Sequence, residues 1–208
     1  MDFKHFYNIY KLTDTTTNTG NELKELGDID DEFRFCIKEL GGKTFNNGLY
    51  RVYRDDQVLI ATESMKKVFP ELNKRIVCFG YDWLGRTFAV DIARKENDKH
   101  LILLLEPGAG ESMQIPVSII NFHNDELVNY ANDALAINFF KEWQGQKNIS
   151  IQFNQCVGYK IPLFLGGSDT VDNLELMDMD VYIHLCEQLR NKVIELPDGM
   201  SIRDISFE

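Results

Sequence analysis

Five carboxylates, Asp169, Asp172, Glu175, Asp178 and Asp180, crowd the segment "GGSDTVDNLELMDMDVY", with no Lys or Arg among them. Acids at this density chelate a cation, move protons, or present negative charge to a partner. A calcium loop starting at Asp169 needs an acid or amide at its third position and Gly at its sixth. Val171 and Leu174 stand there instead. The spacing suits helix capping and a solvated face, and no metal is expected.

The other candidates for chemistry fail in specific ways. "EPGAGES" (Glu106 to Ser112) lacks the third glycine of a dinucleotide fingerprint and the Gly-Lys-Ser/Thr of a phosphate loop, and reads as a hairpin turn. Ser168 in "GGSDT" has glycine on one side only, short of a nucleophile elbow. His184 and Cys186 are two apart on a predicted helix and point to nearly opposite sides. Asp82, Arg86 and Asp91 in "FGYDWLGRTFAVD" could line a pocket near a sheet. They carry the alternative reading, a small hydrolase or other enzyme, but an ion pair pinning a hairpin explains them equally. No nucleophile, base and orienter come together, so no catalytic residue, enzyme activity or cofactor is expected.

Apolar periodicity supplies the scaffold. Phe3, Phe6, Tyr7 and Tyr10 fall at helical spacing, and Thr13 to Asn21 reads as a polar loop. Ile29, Phe33, Ile37 and Leu40 predict a helix ended by Gly41-Gly42. Val58, Ala61, Met65, Val68 and Phe69 predict another, capped by Asp55 or Asp56 and closed by Pro70. "RIVCFGYD", "RTFAVDIA", "HLILLLEP" and "MQIPVS" are four strands joined by "DWLG" and "EPGAGE". Helices return in "FHNDELVNYA" and in "NDALAINFFKEW", where Leu135, Phe139 and Trp143 share a stripe. "GYKIPLFLGG" is an apolar strand or buried loop. The last helix starts near Asp180, with Val181, Leu185, Leu189 and Val193 expected inward. The fold class is α+β, a central antiparallel β-meander flanked by N-terminal and C-terminal helices.

The chain has 208 residues, 44% hydrophobic, and a formal net charge of -11. Residues 1 to 99 hold 17 acids against 16 bases, and residues 100 to 208 hold 16 against 6, so the charge sits in the second half. Such a half repels a phosphate backbone and disfavours direct nucleic-acid binding, while it speeds encounter with a basic protein. The N-terminus lacks a secretory pattern, no run approaches a membrane span, and cytoplasmic residence is expected. Cys36, Cys78, Cys156 and Cys186, widely spaced among apolar neighbours, are expected as reduced, buried thiols.

Several blocks together resemble one family. "LYRVY", "FPEL", "FGYDWLGRTFAVD" and "LLLEPGAGESMQIPVS" resemble the GAD-like region of bacterial type VI secretion immunity proteins. "FHNDELVNYANDALAINFFKEW", "CVGYKIPLFLGGSD" and "NLELMDMDVYIHLCEQL" resemble the C-terminal domain that follows it in that family. The layout is distantly similar to the SUKH immunity superfamily. The resemblance implies an N-terminal extension (1–28), a GAD-like α+β region (29–117) and an immunity-type C-terminal domain packed on the same sheet (118–208). It implies an antitoxin without chemistry of its own that neutralises a cognate secreted effector toxin, as one family member does for a DNase. The acid-rich half suits the basic cleft of a nuclease. Expected toxin-binding residues are Asp169, Asp172, Glu175, Asp178 and Asp180, with Trp83, Tyr81 and Tyr159 as aromatic anchors near predicted turns.

Overall fold

A computed structural model describes residues 1–194 apart from 21, 22, 24, 25 and 28. Seven strands form one antiparallel sheet in sequence order: β1 (Leu12–Thr15), β2 (Lys43–Phe45), β3 (Tyr50–Val52), β4 (Ile76–Asp82), β5 (Thr87–Glu96), β6 (Lys99–Glu106) and β7 (Glu111–Ile115). This is the expected meander, extended at one edge. Thr13 to Thr15, expected within a loop, instead belong to edge strand β1, whose β-branched threonines suit an extended backbone and pair with β2. Short α1 (Lys4–Ile9) buries Phe6, which stacks on Tyr10 at 4.5 Å, and both rings are fully buried.

Helix α2 (Asp31–Leu40) begins where predicted, because Asp30 accepts the Phe33 amide at 3.1 Å. The same carboxylate takes the His100 ring at 2.8 Å and so ties α2 to β6. Burial of Phe33, Ile37 and Leu40 contributes roughly 1.5–3 kcal/mol per side chain. Helix α3 (Val58–Val68) follows its apolar stripe, but neither Asp55 nor Asp56 caps it. Asp55 instead accepts the Thr19 amide and hydroxyl, at 2.9 and 3.0 Å.

After the sheet, α4 (Ile119–Asn121), a π-helical turn (Phe122–Glu126) and α5 (Leu127–Asn129) form one continuous helical stretch. Helices α6 (Ala131–Leu135) and α7 (Ile137–Lys147) are separated by Ala136 in a left-handed conformation, which breaks the single stripe expected across them. Strands β8 (Gln155–Tyr159) and β9 (Leu174–Asp178) make a two-stranded ribbon, and α8 (Met179–Ile194) follows directly. The four cysteines are buried and unpaired. Among the described residues no helix is long and apolar enough to cross a membrane.

His123 lies fully buried in the π-helical turn. Its Nδ1–H donates to the Ile119 carbonyl at 2.8 Å, and its Nε2 accepts from the Tyr50 hydroxyl at 3.0 Å. That arrangement requires the neutral ring, and burial lowers its pKa from 6.5 to about 4. Between those values the unfolded chain binds the extra proton. His123 therefore contributes stability that is full above pH 6.5 and is lost as pH falls toward 4, about 2 kcal/mol of it by pH 5. Urea midpoints at pH 7 and pH 5 should differ accordingly, and the difference should shrink in His123→Gln. An unchanged difference would place the pH response elsewhere.

Candidate functional site

The five expected acids sit on the ribbon and its flanks. Asp169 and Asp172 lie in the loop between β8 and β9, Glu175 and Asp178 on β9, and Asp180 in the first turn of α8. All five side chains are exposed. No hydrogen bond or ion pair from a described cation reaches their carboxylates, although Lys160 Nζ donates to the Asp172 backbone carbonyl at 2.7 Å. Among the described residues no group of three His, Cys, Asp or Glu side chains could hold a metal. Glu175 lies opposite Gly158, whose Cα faces Tyr182, so it leaves the ribbon on the α8 side. Asp178, three residues on, leaves from the other side. Asp172, Glu175, Asp178 and Asp180 thus line β9 and its flanks on both faces of the ribbon, an acidic ridge and not a single patch, while Asp169 turns to the Tyr159 hydroxyl.

Helix α8 corrects the expected phase of its apolar stripe. Met179, Tyr182, Ile183 and Cys186 are the buried face. Val181 is 61% and Leu185 38% exposed, and they share the outer face with Asp180, His184 and Gln188. Two apolar stripes run along this helix, and the ribbon takes the one with the tyrosine. Gly158 is the reason, since any side chain there would overlap the Tyr182 ring. Val181 and Leu185 thus form an exposed apolar pair beside Asp180.

The three aromatic anchors are corrected too. Trp83 is fully buried, Tyr81 2% exposed and Tyr159 3% exposed. Trp83 Nε1 donates to the Leu135 carbonyl at 3.0 Å, and its ring packs 5.2 Å from Phe140 and 5.5 Å from Phe139. Tyr81 donates its hydroxyl to the Phe153 carbonyl and stacks on Tyr53 at 4.7 Å. Arg51 lies 5.3 Å over the Tyr81 ring and donates to the Ile151 carbonyl. These turns look outward in sequence, but the chain after residue 130 folds over them and uses the rings as core.

Asp82, Arg86 and Asp91 do not converge. Asp82 and Arg86 form a buried pair, Nε to Oδ2 at 2.7 Å, and Arg86 Nη2 donates to the Ala134 carbonyl at 3.0 Å. Burial raises the Asp82 carboxyl above its ordinary value, and Arg86 with the Arg86 and Leu84 amides opposes the rise. Asp91 pairs with Ile76 at the far end of the β4–β5 hairpin, roughly 20 Å of strand from Asp82. Desolvation there would raise its pKa, but Arg75 at 2.5 Å and Arg94 at 2.7 Å hold it below the usual carboxylate range. The trio is two separate hairpin clamps, so Asp82, Arg86 and Asp91 do not meet in one pocket.

Residues 120–190 match the family model of the T6SS immunity protein Tdi1, C-terminal. The resemblance to type VI secretion immunity proteins holds over that span, which runs from within α4 to within α8 and includes the ribbon and all five acids. The Tdi1-type match supports an immunity role. The crystal structure of Atu4351 from Agrobacterium tumefaciens superposes with a TM-score of 0.61 at 12% identity, covering 90% of this chain and 89% of that chain. At that identity the likeness shows the fold alone. No curated protein matches the sequence.

Proposed function

We propose that this chain is a cytoplasmic immunity protein, without catalysis of its own, that binds and neutralises a cognate secreted effector toxin, a nuclease with a basic cleft. One observation carries the reading: the Tdi1-type span coincides with an exposed acidic ridge, in a stretch (161–189) that contains no Lys or Arg. A nuclease cleft shaped for phosphate attracts such a ridge, which speeds association and makes it salt-sensitive. The exposed Val181 and Leu185 supply apolar contact that charge alone does not.

Co-expression with the effector encoded beside it tests this directly. Cells carrying both should survive, and purified protein at stoichiometric excess should abolish the effector's DNA cleavage. Full effector activity under that excess would end the proposal. The association rate should fall as salt rises from 50 to 500 mM, conditions chosen to span the loss of screening length from about 14 to 4 Å.

A further inference from the structure

A cleft of about 400 Å³ opens at the tip of the β6–β7 hairpin, away from the outer face of α8. The register pairs Glu106 directly with Glu111, so two carboxylates leave one face side by side. Like charges placed opposite each other destabilise a hairpin. Asp169 joins them from the loop between β8 and β9, held by the Tyr159 hydroxyl at 2.7 Å. That loop is fixed to the hairpin tip where the Leu163 amide donates to the Gly108 carbonyl at 2.8 Å. Phe139, Phe164 and Met113 complete the wall.

The cations close by are already engaged. Arg86 lines the cleft but spends its fork on Asp82 and Ala134. Arg190, beside Gly110, binds Glu71 at 3.1 Å and the Val68 carbonyl, and lies 4.9 Å over the Phe69 ring. Among the described residues, no cation forms an ion pair with Glu106, Glu111 or Asp169. Desolvation pushes the Glu106 carboxyl up; Arg86 opposes this, and Asp82, Asp169 and Glu111 add to it. The cleft sets three carboxylates against aromatic rings, with Arg86 the one cation among its described lining residues and already bonded to Asp82, so its net charge is negative and suits a cationic, planar ligand.

We propose that this cleft receives an arginine side chain of the bound effector, with the guanidinium among Glu106, Glu111 and Asp169 and its face against Phe139 and Phe164. The assignment rests on the immunity reading above. Arginine fits better than lysine because its planar fork bonds carboxylates in pairs and stacks on aromatic rings. The socket would fix the register of a complex that the outer ridge only attracts.

Two measurements test it. In an amide NMR titration with ethylguanidinium, residues 109, 111 and 164 should shift saturably, and ethylammonium should shift them much less. The response should vanish in Glu106→Gln/Glu111→Gln, a near-isosteric change at the cleft mouth. Absence of saturable shifts, or equal shifts in the variant, overturns the socket. Against the effector, the same variant should bind about tenfold or more weakly. If wild-type protein neutralises the effector and the variant binds it equally well, the socket fails while the immunity role stands. If wild-type protein does not neutralise it, the immunity role fails, and the effector arginine fails with it.

Discussion

Glu175→Lys, Asp178→Lys and Asp180→Lys made together are expected to weaken effector binding by about a hundred- to a thousandfold, corresponding to roughly 1–1.4 kcal/mol per reversal. The effect should fall first on the association rate, because exposed charges act mainly on encounter. It should shrink as salt rises. Fold stability should scarcely change, since these carboxylates are exposed and no described cation pairs with them. A second variant, Val181→Ser/Leu185→Ser, separates the two contributions. It should raise the dissociation rate and leave the salt dependence intact, since it removes apolar contact without altering charge. If the triple reversal binds and neutralises as wild type does, the ridge is not the docking surface. Rapid-mixing kinetics at several salt concentrations read both rates directly.

The sheet was the most legible part of the chain. Alternating apolar residues and turn chemistry at "DWLG" and "EPGAGE" place β4 to β7, because hairpin strands carry their register in their own sequence. Strand β9 escaped notice since "LELMD" is short, and its acids read equally as a cap for the following helix. Helix α8 was legible in extent but not in phase. Val181 and Leu185 make as good an apolar stripe as Tyr182 and Cys186, and only long-range packing against α3 and the ribbon decides between them. Trp83, Tyr81 and Tyr159 show the same limit: a turn predicts exposure only until a later segment folds over it. The cleft left a usable signal. Glu106 and Glu111 flank the predicted hairpin turn, and pairing them across it is the register a tight connection gives. Asp169 had no such signal, since its approach depends on the long-range bond between Leu163 and Gly108.

The turn between β4 and β5 is where the two halves of the chain are joined, and Asp82→Ala is expected to cost about 3–5 kcal/mol of stability. Asp82 is fully buried and accepts from the Leu84 amide, the Arg86 amide and the Arg86 guanidinium. Its removal strands a buried cation and two amides together, which is costlier than the loss of one neutral bond. The consequence extends past the turn. Arg86 also holds the end of α6 through the Ala134 carbonyl, Trp83 Nε1 holds Leu135, and the Trp83 carbonyl accepts the Val157 amide of β8 at 2.7 Å. Loosening this turn therefore loosens the seating of the ribbon that carries the acidic ridge. Arg86→Lys keeps the charge but loses the fork, and should cost less, about 1–2 kcal/mol. Urea unfolding of both variants, followed by tryptophan fluorescence because Trp83 reports on this site, gives the two values. A loss below about 1 kcal/mol for Asp82→Ala would mean that the pair is not what seats the C-terminal part. A full loss with effector binding unchanged in the folded fraction would mean that the ridge does not depend on this turn for its position.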